Sequence, residues 1–342
     1  MTNIAITCSG TGGHIYPGIA LAQSYRGGTC FFITPASKMI EETVARYQFK
    51  HHRISHSFKA PWKSIKGVFQ VLKHIRKNNI KVMISTGGGG IMPSIIAAKL
   101  SGIKVMLLEQ NKVYGRANRW CHRWADHVCL SFEETRHCPI SSKVIHTGNP
   151  LHTALPDPVI EKVVSQPYPN AFKLLVFGGS QGAQALNKWV SDNYKTILEG
   201  PYALIHIVGK ENYQKSGYKG AYHCLKDQAG QPRVTILPYS HDMKRLYAWS
   251  DGVISRAGAT TIAELQAYGK PALLIPYPYA TDDHQKANTD VLVESGQGVH
   301  YPQEQLINSP IKEVIQSFPT ENNLRPQPNH AIKTILEILT HP

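Results

Sequence analysis

Short apolar runs alternate with amphipathic stretches along the whole chain. In the first half the runs fall at residues 4–8, 30–34, 82–85, 105–108 and 127–130. Helix-like periodicity fills the intervals at 15–25, 40–47, 93–100 and 116–125. This strand–helix alternation predicts an open parallel sheet covered by helices. The pattern breaks at 149–171, where Pro150, Pro156, Pro158, Pro167 and Pro169 crowd together and read as a linker. It then restarts, with apolar runs at 174–177, 203–208, 234–237, 252–255 and 272–275. Each half opens with a strand, a glycine turn and a helix. The expectation is an α/β protein of two Rossmann-like domains, 1–149 and 150–328, facing each other across a cleft. A last helix, 331–339, is expected within a segment, 329–342, that packs back on the first domain.

The 342 residues suit two domains better than one core, and 42% apolar content excludes bulk disorder. The six cysteines show neither C-x-x-C nor zinc-ribbon spacing and read as reduced thiols of a cytoplasmic protein. The first eight residues read as a buried strand, not a signal peptide. No stretch reaches the ~18 apolar residues that a spanning helix needs. The net charge of +14 changes the picture because it is unevenly placed. Residues 1–149 hold 20 Lys and Arg against 6 Asp and Glu, whereas 150–342 hold 17 of each. The expectation is that one domain alone faces an anionic surface, lipid or nucleic acid.

Three glycine turns carry the candidate chemistry. Ser9-Gly10-Thr11-Gly12-Gly13-His14 joins the first strand to the first helix, where exposed amides can hold a phosphate. It departs from the dinucleotide fingerprint, because the third glycine would fall on Ile15 and no acid ends the second strand. A nicotinamide enzyme is thus disfavoured, and without G-K-[ST] there is no P-loop. The second turn, Thr86-Gly87-Gly88-Gly89-Gly90, has too many glycines for packing and suits close approach of a ligand or of the opposing domain. The third, Gly178-Gly179-Ser180-Gln181-Gly182, opens the second half. All three end predicted strands, where α/β proteins bind ligands. His14 directly follows the first turn, and a neutral imidazole there can serve as a general base.

Read in order, these pieces form one string: Gly10-Thr-Gly-Gly-His14-x-x-Pro17, Glu109-Gln110-Asn111, Gly148-Asn149-Pro150, Gly178-Gly-Ser-Gln-Gly182, Ser255-Arg256-Ala-Gly258, Glu264 and Asp283-His284-Gln285. The string runs along almost the entire chain and resembles the MurG family, the N-acetylglucosaminyltransferases of bacterial cell-wall synthesis. The resemblance implies the GT-B fold and an inverting transfer of N-acetylglucosamine from UDP-N-acetylglucosamine to lipid I, an undecaprenyl-diphosphate-linked muramyl peptide, giving lipid II. No Asp-x-Asp motif occurs to hold a metal on the leaving diphosphate. Neither a metal nor a cofactor is expected, and the positive helix end at 257–261, with Ala259, Thr260 and the preceding Arg256, can take that charge instead. By resemblance Ser180 contacts phosphate, Asn111 and Gln285 contact the donor sugar with His284 beside them, the backbone around Ser240 reads uracil, and Glu264, on the helix after Arg256, holds the ribose. His14 and Glu109 are the base candidates. Three positions depart from the family. His152 stands where an arginine is common, Gly89 where the second loop carries a tyrosine, and Leu108 where a histidine is frequent.

Residues 59–77 join a basic series, Lys59, Lys63, Lys66, Lys73, Arg76 and Lys77, to Ile65, Val68, Phe69 and Leu72 at helical spacing, with Trp62 at the start. The expectation is that most of the apolar stripe packs on the core. The basic residues, with Phe58, Trp62 and Phe69, then face anionic lipid or the acceptor's diphosphate. This places the protein peripherally on the cytoplasmic face of the inner membrane. The nearest other enzymes are a UDP-N-acetylglucosamine 2-epimerase, which needs no lipid-binding face, and a related transferase acting on a different lipid, diacylglycerol. A nucleic-acid-binding protein is suggested by a pI of 9.4, but no recognition signature accompanies it, so no nucleic-acid partner is expected. A degenerate scaffold would have little reason to retain His14, Ser180, Arg256, Glu264 and Gln285.

Overall fold

The computed structural model describes residues 1–168, 170–179, 182–319 and 324–340. Pro169, Ser180 and Gln181, named above, lie outside the described residues, as do 320–323, 341 and 342. The chain divides into two compact units, Met1–Thr153 with Asn329–Pro342, and Ala154–Pro328. The chain passes between units just after Thr153, so the proline-rich stretch is not a plain linker. Within it Pro158–Val164 is a helix, started by proline and capped by Asp157, whose carboxylate accepts from the Val159 amide at 3.0 Å.

The first unit winds seven strands, β1 (Asn3–Thr7), β2 (Cys30–Pro35), β3 (Lys50–Ile54), β4 (Ile80–Ser85), β5 (Lys104–Glu109), β6 (His127–Leu130) and β7 (Val144–His146). Their order is β3-β2-β1-β4-β5-β6-β7, with every pairing parallel. The second unit contains β8 (Phe172–Phe177), β9 (Tyr202–Ile207), β10 (His223–Lys226), β11 (Pro232–Leu237), β12 (Gly252–Ser255), β13 (Ala272–Leu274) and β14 (Gly298–His300). Their order is β10-β11-β9-β8-β12-β13-β14, parallel except for the antiparallel β10–β11 pair. Without that edge strand, the second sheet repeats the winding of the first six strands of the first sheet.

The inner strands are legible because both their faces are covered, so they read as continuous apolar runs. Ile4, Ala5 and Ile6 of β1 are fully buried, as are Val253 and Ile254 of β12. The four strands the apolar runs do not reveal are β3, β7, β10 and β14, the four sheet edges. β3 reads Lys-His-His-Arg-Ile, with only Ile54 buried. An edge strand has one solvated side and tolerates charge.

The final helix, Ala331–Thr340, buries Ala331 and Ile335 within the first unit. The basic helix runs Pro61–Lys77 and has two apolar faces. Gly67, Val71 and Ile75 are buried, with Val68 and Leu72 packed against the same core. Gly67 admits the approach of the chain after β3, since a Cβ there would lie 2.1 Å from the Ser55 carbonyl oxygen. Trp62, Ile65 and Phe69 share the other face and are each more than half exposed, as is Phe58. Ile65 therefore belongs to the solvent stripe and not to the core stripe. Among the described residues, no helix is long and apolar enough to cross a membrane.

Candidate functional site

Strand order reverses between β1 and β4 in the first unit and between β8 and β12 in the second. At such switch points the loops beyond the strand ends part and leave a crevice. The glycine turns follow β1, β4 and β8, so the topology gathers them at these two places.

In the first unit the loops after β1 and β4 are laced together. The Ser9 amide donates to the Gly87 carbonyl at 3.0 Å, and the Gly90 amide donates to Ser9 Oγ at 2.7 Å. The helix Gly12–Ser24 begins inside the turn, with Thr11 at its N-cap and no side chain capping it, so Gly12 and Gly13 lead with unspent amides. His14 lies in the first turn of this helix. Its Nδ1 sits 2.9 Å from the Thr86 carbonyl and 3.3 Å from Gln110 Oε1. Both partners are acceptors, so Nδ1 carries the proton and Nε2 keeps its lone pair. Nε2 has no hydrogen-bond partner among the described residues.

The glycine run after β4 answers to its own neighbours, which corrects the expectation that packing could not explain it. Gly87 and Gly88 hold φ +98° and +92°. A Cβ on Gly87 would lie 2.9 Å from His14 Nδ1, and one on Gly88 2.0 Å from the Ser9 carbonyl oxygen. A Cβ on Gly89 would lie 2.7 Å from the Phe58 ring, and one on Gly90 2.8 Å from the Pro35 ring. The run lets two loops close around an imidazole.

Glu109 ends β5 and is buried. Its Oε1 accepts from the Asn111 amide at 3.0 Å and from Asn111 Nδ2 at 3.3 Å, and its Oε2 accepts from the Gly115 amide at 2.7 Å and Asn118 Nδ2 at 2.9 Å. Four donors fill this carboxylate, which folds the loop carrying Gln110 and Asn111. His152 packs against the helix Gly12–Ser24, which begins with the first glycine turn. It stacks on Tyr16 at 4.5 Å and meets Tyr47 edge-on at 6.1 Å.

In the second unit Gly179 has φ +85° and, among the described residues, nothing within 4 Å of where a Cβ would stand, whereas Gly182, at φ +76°, would press a Cβ to 2.2 Å from the Val208 carbonyl oxygen. That carbonyl also accepts from Asn187 and Asn212, both at 2.9 Å. Asn187 meets the buried His206, whose pKa burial pushes down to about 3. A neutral imidazole thus props the third glycine turn.

Ser240 follows β11, and its Oγ accepts from the Asp242 amide at 3.1 Å. Arg256 lies in the loop between β12 and the helix Ala259–Tyr268, ahead of that helix and not on it. Its Nη1 donates to the carbonyls of Ile275 and Pro276 at 3.1 and 3.2 Å, and its Nη2 to Gln303 Oε1 at 2.6 Å. The guanidinium also lies over the Tyr277 ring at 5.5 Å. Burial pulls its pKa below the usual arginine range. Much of its hydrogen-bonding capacity is spent on pinning the loop after β13. Gly258 caps the helix with no side-chain bond, leaving the amides of Ala259 and Thr260 at a positive end, and the buried hydroxyls of Ser255 and Thr260 have no partner among the described residues.

Glu264 lies one turn further along and accepts from the Tyr247 hydroxyl at 2.9 Å. Desolvation pushes the Glu264 pKa up to about 7, with the Tyr247 hydrogen bond acting the other way. His284 and Gln285 open the helix His284–Glu294 after two successive left-handed residues, Asp282 and Asp283, at φ +53° and +50°. Gln285 Oε1 accepts from the Tyr277 amide at 2.9 Å, and His284 Nδ1 contacts the Thr281 carbonyl at 2.7 Å. Gln110, Asn118, Tyr247 and Gln303 were not among the sequence candidates. Gln110 lies inside a recognised string, but the other three act across elements and leave no local signal.

Comparison with known proteins gives this geometry its context. Residues 4–130 match the glycosyltransferase family 28 N-terminal domain, and residues 173–338 match the family's C-terminal domain. The UDP-N-acetylglucosamine--N-acetylmuramyl-(pentapeptide) pyrophosphoryl-undecaprenol N-acetylglucosamine transferase of Lawsonia intracellularis is 35% identical, with 91% of this chain and 87% of that one aligned. The crystal structure of Acinetobacter baumannii MurG matches over 100% of both chains, with a TM-score of 0.72 and 25% identity. A UDP-GlcNAc 2-epimerase from Neisseria meningitidis, solved with UDP-GlcNAc bound, superimposes with a TM-score of 0.67 over 100% of both chains. At 14% identity it shares the fold alone.

Proposed function

The chain belongs to glycosyltransferase family 28, and from that membership we infer that it transfers N-acetylglucosamine from UDP-N-acetylglucosamine to lipid I, forming lipid II. The observation that carries this reading is the near full-length 35% identity to a transferase so named, against 14% to the epimerase.

The chemistry follows from the site residues. A sugar hydroxyl of the acceptor attacks the anomeric carbon of the donor in line, and the bond from that carbon to the UDP oxygen breaks with inversion. His14 takes the hydroxyl proton on Nε2, because Nδ1 is held in the protonated tautomer by the Thr86 carbonyl. Glu109 is the weaker base candidate, since its lone pairs are already engaged. Its bonds to the Asn111 amide and side chain fix the loop after β5. UDP leaves with growing negative charge, which the glycine turn at 178–182 with Ser180, Gln181 and Gly182 and the helix start at Ala259 and Thr260 stabilise, all within the second unit. Arg256 adds positive charge and keeps the loop after β13 in place for Gln285 and His284. Ser240 lies at the uracil-reading segment, and Glu264 accepts from the ribose. Gly87 and Gly88 serve the site through His14. His152 packs on the Tyr16 and Tyr47 rings, and it lacks the fixed charge that an arginine would bring to donor binding.

The first unit takes the acceptor and the second the donor. Phe58, Trp62, Ile65 and Phe69 form the exposed stripe that, with the surrounding lysines, holds the protein on anionic lipid, each basic residue near the surface adding about 1 kcal/mol.

The test is transfer of radiolabel from UDP-N-acetylglucosamine to a lipid I analogue in detergent containing EDTA. Label in lipid only when the analogue is present supports donor, acceptor and metal independence together. UDP binding without transfer overturns the acceptor assignment, and release of N-acetylmannosamine favours the epimerase.

A further inference from the structure

We propose that Tyr247 is a positioning residue of the donor site, fixing one oxygen of Glu264 so that the other stands ready for the ribose hydroxyls. This rests on the reading of Glu264 as the ribose ligand.

Tyr247 lies on the helix Met243–Trp249 and is fully buried. Its ring stacks on Tyr268 at 5.3 Å and meets Phe177 edge-on at 6.2 Å. Phe177 is the last residue of β8, directly before the third glycine turn. The phenol is therefore held between the strand that leads into the phosphate-binding turn and the helix that carries Glu264. Its hydroxyl donates to Glu264 Oε2 at 2.9 Å. Among the described residues Glu264 has no other hydrogen-bond partner and no ion pair, so Oε1 remains available.

A glutamate side chain has three rotatable bonds, and a free one would lose that freedom only on binding ligand. The tyrosine removes the freedom in advance. It also matters for charge. A ribose diol donates hydrogen bonds and needs an ionised acceptor, since a protonated carboxyl turns one of its oxygens into a donor. The titratable groups facing Glu264 are Tyr247 from the neighbouring helix and Tyr268 from its own, with Asp242 acting on Tyr268 from the start of the neighbouring helix. None of these is a cation. Burial raises the carboxyl's pKa and the Tyr247 hydrogen bond lowers it. Donor binding should therefore weaken as pH falls through about 7. Without the tyrosine hydroxyl the same loss should begin at higher pH.

Calorimetric titration of the full chain with UDP, 2′-deoxy-UDP and 3′-deoxy-UDP between pH 6 and 8.5 tests this. Wild type should prefer UDP over a deoxy analogue by about tenfold or more at pH 7.5. Tyr247→Phe retains the ring packing and should lose most of that preference at pH 7, regain part of it at pH 8.5, and leave kcat at saturating donor within about twofold. Tyr247→Met, which fills the space without a hydroxyl, should show the same loss, whereas Tyr268→Phe should not. If wild type binds UDP and both deoxy analogues alike, the ribose reading of Glu264 fails and takes this inference with it. If wild type discriminates and Glu264→Gln does not, but Tyr247→Phe and Tyr247→Met keep the wild-type preference and pH profile, the reading of Glu264 stands and the role of Tyr247 is overturned.

Discussion

Both units share six parallel strands wound in the same order, to which the first adds β7, and both place glycine turns at the switch point, yet the glycines answer to different constraints. After β4, all four have a neighbour of their own unit within 3 Å of where a Cβ would be. After β8, Gly179 has open space among the described residues while Gly182 does not. The first unit uses glycine to close backbone around a histidine. The second uses it, at one position, to leave room. A glycine-rich string alone does not distinguish these uses. The polar groups differ in the same sense. In the first unit a ring nitrogen is left with a lone pair, whereas in the second the arginine and the glutamate are each tied by bonds within the unit.

The largest effect expected is on chemistry in the first unit. His14→Ala should lower turnover by about 10²–10⁴-fold with UDP affinity unchanged by calorimetry. Glu109→Gln should lower the melting temperature and turnover together, because an amide cannot accept from four donors. Equal loss of turnover in Glu109→Gln, with an unchanged melting temperature, would make the carboxylate the base and undo the assignment of roles.

Next comes the glycine contrast. Gly88→Ala should destabilise the protein by several times as much as Gly179→Ala. The former meets the Ser9 carbonyl, while the latter incurs only the left-handed backbone cost of about 1–2 kcal/mol. Denaturant midpoints decide this, and similar losses at both positions would erase the distinction.

The smallest effect concerns the membrane face. Phe69→Ala should reduce partition onto anionic vesicles by about tenfold or less and leave the melting temperature unchanged, since the ring is more than half exposed. Val71→Ala, two residues on, should do the reverse, because Val71 is fully buried. Unchanged partition of Phe69→Ala would mean that the exposed stripe has no lipid to meet.

What the sequence determined by itself was the interior of both sheets and the positions of the turns. A strand buried on both faces must be apolar throughout, and this constraint is written into consecutive residues. It also carried the candidate residues that sit in short strings, such as Gly10 to His14. Tertiary structure alone decided the edges. β3, β7, β10 and β14 need only one partner strand, so their composition is free to be polar. It likewise decided which proton His14 keeps, why Gly88 has no side chain, what fills the Glu109 carboxylate, and that Tyr247 meets Glu264 across two helices. Each of these depends on groups brought together from distant parts of the chain, where no spacing along the sequence can record a distance in space.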